Sequence, residues 1–403
     1  MKILLISTNY NGGAAICARR QHKAFLDKGY DSNLLVLDKV NSPTEKNVFS
    51  IQEIISKKYG RFCFFILKFA NRIFNKFPTI LNKQAYINGP DSLFRIDKLE
   101  IYKLADIIHL HWVPKILSYK NVFSDKNKLF FWTQHDMNAF TGGNHYTTDL
   151  DYRPFEKLLQ SNIDKKIKYL KGNNLTIIPT SNWLGELAAN SPVFKGFEIV
   201  VIPSCLDTII FKPIDKKQAR KDLNLELMDK KYILFVAENP YDKRKGMDVL
   251  LKALGKLKNK SKICVLVIGK IMEEKQFGFE IKHLGFKSKS EDVVNCFNAA
   301  DFFVIPSLED NLPNTVIEAL ACGTPVVGFN VGGISDIVDH NKSGLLSEIF
   351  DENAFVKNLE FFVDLDNYDS YAKFGRDKIL DNFSEEILVN KLLSLYQKKT
   401  IIN

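Results

Sequence analysis

Cysteine pairs, long apolar runs and several well-known enzyme motifs are missing from this sequence of 403 residues. Its six cysteines are scattered, form no CxxC pair and have mostly apolar neighbours, which predicts reduced core thiols without a disulfide framework or zinc site. No apolar run reaches the ~18 residues of a membrane span. The run that starts at Met1 stops at Ser7, short of the ~7–15 residues of a signal-peptide core. We therefore expect a cytoplasmic protein, soluble or peripheral to a membrane.

Motifs of other protein classes are absent too. No GxGxxG follows a predicted strand, which disfavours a dehydrogenase, and no GxxxxGK[ST] supports a P-loop enzyme. The two Asp-x-Asp triplets, residues 149–151 and 364–366, are typical of metal-dependent transferases, but neither follows a convincing strand, so we interpret them as chance. No basic recognition helix belongs to a known motif, so we expect no binding of nucleic acid.

Length and composition indicate a globular protein of two domains, because domains usually have ~100–200 residues. Hydrophobic residues make up 45% and charged residues 26% of the chain, and the formal net charge is +9. This charge favours an anionic partner such as phosphate or a lipid surface. A biased genomic composition rich in Lys and Asn explains it equally well.

Short apolar runs alternate with helical patterns, as is typical of parallel sheets covered by helices. The predicted strands are residues 2–7, 32–37, 107–111, 129–133, 175–179 and 198–202, then 232–237, 263–269, 301–306 and 324–329. We expect an α/β protein with two Rossmann-like, doubly wound domains, residues 1–203 and 204–383, that face a central cleft. The boundary is set where the strand that ends at Ile202 gives way to proline-marked irregular chain.

The stretch from Ile54 to Pro78 departs from this alternation. Its pattern predicts a helix with a basic face and a broad apolar surface. The basic residues are Arg61, Lys68, Arg72 and Lys76, and the apolar ones are Phe62, Phe65, Phe69, Ile73 and Phe77. Such a helix can lie in an anionic membrane surface. Alternatively, it packs on its own domain with its charged face in solvent.

The strongest local signal is the segment PSLEDNLPNTVIEALACGTPVV, residues 306–327. A predicted strand ends in a polar loop, and a helix begins near Pro313 or Asn314 and stops at Gly323. Free N–H groups at such a helix start bind phosphate oxygens. Glu318 can accept hydrogen bonds from ribose hydroxyls, and Asp310 can hold a second hydroxylated group. The segment therefore predicts a site for a diphosphate between two sugars.

This segment resembles the pattern of glycosyltransferase family 4, in which two acidic residues separated by seven others precede Ala-x-x-x-Gly-x-Pro-Val-Val. Glu318 matches the second acid, and Asp310 stands where the family usually has Glu. The resemblance implies a GT-B fold and a catalytic contact from Asp310 to the donor hexose. It also implies that residues 384–400 cross back onto the first domain. The donor-binding residues it implies here are Asn311, Leu312, Pro313, Asn314, Thr315 and Glu318.

Other segments agree with this resemblance. The basic segment Lys243-Arg244-Lys245-Gly246 matches residues that neutralise the donor pyrophosphate, so Arg244 and Lys245 are candidate catalytic residues. The family more often has its Arg at the position of Pro240. Near the N-terminus, Gly12, Gly13 and Ala14 resemble a glycine loop that approaches the donor phosphate, although two glycines also serve in tight turns.

Three histidines complete the candidate set. His135 follows a predicted strand and matches a histidine that the family places beside the reacting sugar. His109 and His111 alternate along another strand, so one is expected in the core and the other near the strand tip. The loop Thr141-Gly142-Gly143-Asn144-His145 resembles one in a polysaccharide-assembly branch. His111, Asp136 and His145 are therefore acceptor-side candidates, the alternative for His145 being an exposed loop residue.

The resemblance implies a retaining, metal-independent transfer of a sugar from a nucleotide diphosphate to a hydroxyl, with no cofactor. The acceptor's proton would pass to the leaving phosphate. A glycan, in particular a lipid-linked one at the inner face of the cell membrane, is the expected acceptor, as in capsule, exopolysaccharide or O-antigen assembly. Two alternatives stay open: a nucleotide-sugar epimerase of similar architecture, and a non-catalytic carbohydrate- or nucleotide-binding protein.

Overall fold

Alternating strands and helices divide the chain into two α/β units. The computed structural model describes residues 1–38, 46–75, 87–147, 153–225, 230–270 and 278–402. Unit 1 comprises Met1–Cys205 and Leu388–Asn403, and unit 2 comprises Leu206–Ile387. The sequence analysis had set the boundary two residues earlier, after residue 203.

Unit 1 contains a parallel sheet of seven described strands in the order β3-β2-β1-β4-β5-β6-β7. The strands are β1 (Lys2–Ile6), β2 (Asp31–Val36), β3 (Val48–Ser50), β4 (Ile107–Leu110), β5 (Leu129–Gln134), β6 (Asn174–Pro179) and β7 (Glu198–Ile199). The helices between them are α1 (Gly13–Asp27), α2 (Ile51–Tyr59), α3 (Arg61–Phe74), α4 (Glu100–Lys103), α5 (Tyr119–Val122), α6 (Glu156–Leu170) and α7 (Asn182–Ala189).

Unit 2 contains a second parallel sheet, of six described strands in the order β10-β9-β8-β11-β12-β13. These are β8 (Lys231–Val236), β9 (Ile263–Ile268), β10 (Glu280–Gly285), β11 (Phe302–Ile305), β12 (Val326–Phe329) and β13 (Gly344–Ser347). The helices are α8 (Lys216–Asp222), α9 (Met247–Gly255), α10 (Ser290–Ala299), α11 (Asn314–Ala321), α12 (Ile334–Ile337), α13 (Glu352–Asp364) and α14 (Asp369–Phe383). The last helix, α15 (Glu385–Ile402), begins in unit 2 and continues into unit 1.

The central strands form because their residues are apolar on both faces. In β9 all six residues, ICVLVI, are buried, as expected for a parallel strand with helices on each side. In both sheets the strand order reverses next to the first strand, since β1 lies between β2 and β4, and β8 lies between β9 and β11. This is the doubly wound arrangement, in which loops after the carboxyl ends of neighbouring strands bind ligands.

The sequence predicted ten strands, and each overlaps an observed one; the structure adds β3, β10 and β13. The predicted helix from Ile54 to Pro78 is two helices, α2 and α3, separated at Gly60, whose φ is +88°. Lys76, Phe77 and Pro78 lie outside the described residues, as do residues 149–151. Asp364 is the last residue of helix α13, so residues 364–366 do not follow a strand.

Candidate functional site

In unit 1, the predicted residues follow three neighbouring strands. β1 pairs with β4, and β4 pairs with β5, all in parallel. Gly12 and Gly13 follow β1 and are exposed, His111 follows β4, and His135 follows β5. Parallel strands place their carboxyl ends at one edge of the sheet. These residues therefore share one edge of unit 1.

The glycine loop leads directly into a long helix. Gly12 precedes α1 with φ +98°, a backbone angle that glycine adopts without a steric penalty. Helix α1 has 15 residues, starts at Gly13 and has no side-chain cap. A helix start of this kind is a common place for an anion, and Ala14 is half-buried there.

The histidines at this edge form a stack. The rings of His109 and His111 lie 4.7 Å apart, and those of His111 and His135 lie 5.4 Å apart. Nδ1 of His111 is 3.1 Å from Nε2 of His135. Burial lowers the pKa of His109 to about 3 and that of His135 to about 4, and it lowers the pKa of His111 well below its usual value. All three rings are therefore neutral at pH 7.

His109 belongs to the core. One ring nitrogen contacts the hydroxyl of Tyr396, and Nε2 lies 2.7 Å from Oγ1 of Thr133. His111 lies at the strand tip. This is the division that the alternating pattern predicted.

The loop after β5 is fixed by a buried contact between a histidine and a carboxylate. Nδ1 of His145 lies 2.6 Å from Oδ2 of Asp136, and Nε2 of His145 lies 2.9 Å from the amide of Asn88. Burial raises the pKa of Asp136, but the charge and hydrogen bond of His145 outweigh it, so the pKa is lowered overall. His145 is only 7% exposed. The alternative of an exposed loop histidine is therefore wrong.

Lys166 of helix α6 hydrogen-bonds to the same loop. Its ammonium donates to the carbonyl oxygens of Asn138 at 2.5 Å and Thr141 at 2.9 Å. The side chain is fully buried, and this burial lowers its pKa to about 7. Nothing in the local sequence distinguishes Lys166 from the other lysines of an amphipathic helix, so the sequence analysis missed it.

Cys17 is a second residue that the sequence analysis did not connect with the site. One ligand atom from each of Cys17, His111 and His135 lies within 4.8 Å of the others. Cys17 lies in the second turn of α1 and is buried. It is thus a free, buried thiol that lies beside the two histidines. The prediction that the cysteines lie in the core is wrong for Cys63, which is exposed.

In unit 2, the basic segment lies against the loop after β11. Nζ of Lys245 is 2.6 Å from Oδ2 of Asp310, and Nη1 of Arg244 is 3.8 Å from the same oxygen. The guanidinium of Arg244 also donates to the carbonyl oxygen of Glu309 at 3.0 Å. Burial raises the pKa of Asp310, but the two cations outweigh it and lower the pKa overall. Asp310 is therefore an anion that holds two positive charges beside it.

Two glycines allow this close packing. Gly246 has φ +72°, and a Cβ there would lie 1.8 Å from the carbonyl oxygen of Pro306. Gly332 has φ +57°, and a Cβ there would lie 1.6 Å from the carbonyl oxygen of Asp310. The loop thus packs between two backbone segments. At Gly246 and Gly332 any residue with a Cβ would collide with it.

Helix α11 follows the loop and carries the remaining candidates. Its first residue is Asn314, its N-cap is Pro313, and no side chain caps it. Asn311, Leu312 and Glu318 are buried, whereas Asn314 and Thr315 are half-buried. This helix begins four residues after Asp310, the partner of Lys245, and a cation together with a helix N-terminus favours phosphate.

The chain was then compared with known proteins. Residues 215–378, which include the basic segment and Glu318, match the family model described as Glycosyl transferases group 1. A D-inositol 3-phosphate glycosyltransferase from Pseudarthrobacter chlorophenolicus is 29% identical over 37% of this chain and 38% of its own length. An Escherichia coli UDP-Gal:alpha-D-GlcNAc-diphosphoundecaprenol alpha-1,3-galactosyltransferase is 24% identical over 52% of this chain and 57% of its own. The alignments thus span 38% and 57% of the lengths of these two relatives.

Solved structures resemble the chain over its full length. Sucrose-phosphate synthase from Thermosynechococcus elongatus matches 100% of both chains with a TM-score of 0.69 and 19% identity. HepE from Anabaena, solved with UDP-glucose, matches 99% of this chain and 100% of its own with a TM-score of 0.68 and 14% identity. The predicted fold class, GT-B with two Rossmann-like domains, is confirmed. The roles of individual residues stay predictions.

Proposed function

We propose that this chain, which contains a glycosyl transferases group 1 domain at residues 215–378, transfers a hexose from a nucleoside diphosphate to a hydroxyl of a glycan. The observation that carries the proposal is the contact of Lys245 with Asp310, 2.6 Å apart, at the loop before α11. Cations, a carboxylate and a helix start are together there, and a sugar diphosphate needs all three.

The leaving group is the difficult part of this reaction. As the glycosidic bond breaks, negative charge grows on the diphosphate, and preorganised cations and dipoles stabilise it. Arg244, Lys245 and the N-terminus of α11 are proposed for this role. Since the pair of cations and the helix dipole supply positive charge from the chain itself, we propose that transfer needs no metal ion.

Donor binding changes the partners of Lys245. Without a donor, its charge is matched by Asp310. A diphosphate would attract Lys245, and the oxygens of Asp310 would then accept hydrogen bonds from hexose hydroxyls. Glu318, buried in the second turn of α11, is proposed to hold the ribose.

Unit 1 is proposed to hold the acceptor and the reacting sugar. Because His135 is neutral at pH 7, it can hydrogen-bond a sugar hydroxyl without acting as an acid. We propose that the acceptor's proton goes to the leaving phosphate and that the anomeric configuration is retained. Asp136 and His145, fixed by their mutual contact, would shape the acceptor side with His111.

Titration of UDP, GDP and dTDP into the purified protein tests donor binding. UDP is the first probe, since the names of two similar proteins include UDP-galactose and UDP-glucose. We expect Lys245→Ala and Glu318→Ala each to weaken binding about 10–100-fold, as for a lost hydrogen bond to a charged group. The matched control is Lys252→Ala, an exposed lysine of α9, which should bind as the wild type does. Equal affinity of all four proteins would refute the diphosphate site.

Turnover separates the proposed transferase from the open alternatives. With a UDP-hexose and a lipid-linked glycan, the wild type should release UDP only when the acceptor is present, and Lys245→Ala should lower kcat about 10²–10³-fold. Release of a free sugar epimer without acceptor would indicate an epimerase. Tight donor binding without release of UDP under any acceptor would indicate a binding protein.

Helix α3 is the proposed contact with an anionic membrane. Phe62, Phe65 and Phe69 are 75%, 57% and 65% exposed, and only Phe64 and Asn71 of this helix are buried. Arg61 and Arg72 are exposed on it, while Lys68 pairs with Asp38. Most of the apolar surface thus faces outward, against the alternative of a helix packed on its own domain. No helix in the described ranges has the length and apolarity to cross a bilayer.

Co-sedimentation with phosphatidylglycerol vesicles tests this contact. An inserted Phe contributes on the order of 1.5–3 kcal/mol, so Phe62→Ser with Phe69→Ser should weaken binding at least tenfold. Neutral variants of Arg61, Lys68, Arg72 and Lys76 should weaken it on these vesicles but not on neutral ones. The control is Phe286→Ser with Phe350→Ser, which are 72% and 78% exposed in unit 2. Equal sedimentation of all variants would contradict the proposal.

A further inference from the structure

Three side chains with soft metal-ligand atoms converge at the edge of the unit 1 sheet. Cys17 comes from α1, His111 follows β4 and His135 follows β5, so the group joins three separate segments. One ligand atom from each lies within 4.8 Å of the others. None of these contacts is local in sequence, and the fold itself brings the atoms together.

The spacing fits a small ion. In a tetrahedral zinc site with Zn–N bonds of about 2.0–2.1 Å and a Zn–S bond of about 2.3 Å, neighbouring ligand atoms are roughly 3.3–3.6 Å apart. Nδ1 of His111 and Nε2 of His135 are 3.1 Å apart, close to that separation. The sulfur of Cys17 lies within 4.8 Å of one nitrogen of each ring, so binding requires side-chain rotations that bring it closer to them.

One nitrogen of the pair is buried without a partner. His111 is 2% exposed, and its Nε2 makes no hydrogen bond to any residue in the described part of the chain. Whichever of His111 and His135 donates in their mutual hydrogen bond, this second nitrogen of His111 stays unsatisfied. Buried polar atoms are rarely left so, because their desolvation costs free energy. Nε2 of His111 is therefore a second nitrogen of this ring that an ion could take as its ligand, in place of Nδ1.

Hydrogen-bond donors and a cation surround the sulfur of Cys17. Nε2 of Gln21 lies 3.5 Å from Sγ of Cys17. Burial raises the pKa of this thiol overall, and the side chain of Ser204, the charge of Arg20 and the backbone of Cys205 offset that only in part. Donors and a cation around a sulfur stabilise its negative charge. The neutral rings of His111 and His135 need not lose a proton to bind.

We infer that Cys17, His111 and His135 form a binding site for a divalent transition-metal ion of the zinc type. One thiolate and two imidazoles select zinc or cobalt over magnesium or calcium, which prefer oxygen. The ion exchanges water ligands for two nitrogens and one sulfur and keeps water in the fourth position. The thiol of Cys17 releases one proton to the solvent as its bond to the metal forms.

Occupancy of this site would switch off the transfer reaction. An ion bound to Nε2 of His135 would fix this ring in the orientation that the metal requires, instead of the one that the hydrogen bond to a sugar hydroxyl requires. This consequence, unlike the site itself, rests on the proposed function. We expect zinc at saturation to lower the transfer rate at least tenfold and a chelator to restore it.

Cobalt binding tests the site directly, on tag-free full-length protein in a Cys63→Ser background because Cys63 is exposed. One equivalent of Co²⁺ should give a thiolate-to-cobalt charge-transfer band, which zinc abolishes, with release of one proton per ion. Cys17→Ser should lose the band and His111→Asn should weaken the binding at least tenfold. Cys264→Ser, a buried cysteine of β9, is the matched control and should behave as the parent.

X-ray absorption at the zinc edge of the loaded parent protein needs no variant and should show one sulfur and two imidazole nitrogens. Absence of the band in the parent, or a band that survives Cys17→Ser, would overturn the metal site. Zinc that binds through Cys17 but leaves the transfer rate unchanged would keep the site and refute the role of His135 in the reaction.

Discussion

At the scale of single residues, unit 1 buries several ionisable groups whose pKa values are lowered by that burial. His109, His111 and His135 have lowered pKa values because they are shielded from water. Lys166 has a pKa of about 7 for the same reason. Each group makes the stability of unit 1 depend on pH, since the unfolded chain binds protons that the folded unit does not.

The histidines predict sensitivity to acid. Their folded pKa values, about 3 for His109 and about 4 for His135, lie below the usual 6.5, so the stability they give is present above pH ~6.5 and is lost as the pH falls toward 4. Each group contributes at most about 1.4 kcal/mol per pH unit in this window. Urea denaturation at intervals of pH, with a chelator present, measures the slope. His109→Gln should flatten it, and an unchanged slope would show that His109 is protonated in the folded protein.

Lys166 predicts that stability also rises with pH on the alkaline side of neutral. Its folded pKa of about 7 lies below its usual 10.5, so the cost of burying its charge is full below pH 7 and falls as the pH rises toward 10. The free energy of unfolding of the wild type, relative to Lys166→Met, should therefore increase between pH 7 and 9. Lys165→Met is unsuitable as a control because Lys165 is half-buried and pairs with Asp91. Lys168→Met, exposed on the same helix, should show no such trend.

At the scale of elements, the loop of residues 306–313 depends on backbone that approaches it from two sides. The carbonyl of Arg244 accepts the N–H of Leu308 at 2.8 Å, and the N–H of Gly333 donates to the carbonyl of Asn311 at 2.7 Å. Main-chain hydrogen bonds thus fix the backbone of the loop. This fixed backbone frame keeps Asp310 in contact with Lys245.

Gly246 is the position where this frame is most vulnerable. In Gly246→Ala the new methyl would collide with Pro306 at a positive φ, which costs well over ~1 kcal/mol. We expect a lower Tm and at least tenfold weaker binding of UDP. The matched control is Gly255→Ala in helix α9, where a Cβ meets no atom within 4 Å. That change should stabilise the protein by roughly 0.5–1 kcal/mol, so an equal response of the two variants would contradict the argument.

The elements also show which parts of the fold the sequence can reveal. Central strands such as β9 were predictable, because burial on both faces gives a continuous apolar run. The strands β3, β10 and β13 were missed, and each lies at an edge of its sheet. β10, with the sequence EIKHLG, is at most half-buried. Its polar residues interrupt the apolar run by which a buried strand is recognised.

The candidate site divides in the same way. Lys245 and Asp310 follow the neighbouring strands β8 and β11, so their proximity could be predicted once both strands were recognised. The position of Cys17 depends on how α1 packs on the sheet, which no local pattern records. The contact of His109 with Tyr396 joins residues 287 positions apart and was equally hidden.

At the scale of the whole molecule, unit 1 is built from two distant parts of the chain. Leu388, Val389, Leu392 and Tyr396 of α15 are buried in the core beneath β1 and β4. The ring of Tyr396 contacts Phe25, Phe131 and His109. The unit cannot bury this part of its sheet without α15.

Tyr396→Ala should therefore loosen unit 1 selectively. Removing a fully buried aromatic ring costs about 3–5 kcal/mol, and the loss should appear in the strands that Tyr396 covers. Hydrogen exchange followed by mass spectrometry should show faster exchange in β1, β4 and β5 and unchanged exchange in β8 and β11. Ile401→Ala, 85% exposed on the same helix, serves as the control. Equal loss of protection in both units would mean that they unfold as one.

The return of α15 also bears on how the protein matures during translation. Unit 2 is contiguous, from Leu206 to Ile387, so the ribosome has made all of it before Leu388 is added. The first 205 residues emerge earlier, yet their hydrophobic surface stays uncovered until α15 has left the exit tunnel. The unit whose synthesis begins first is thus the last to be completed, and the nascent chain needs protection from aggregation for that whole interval.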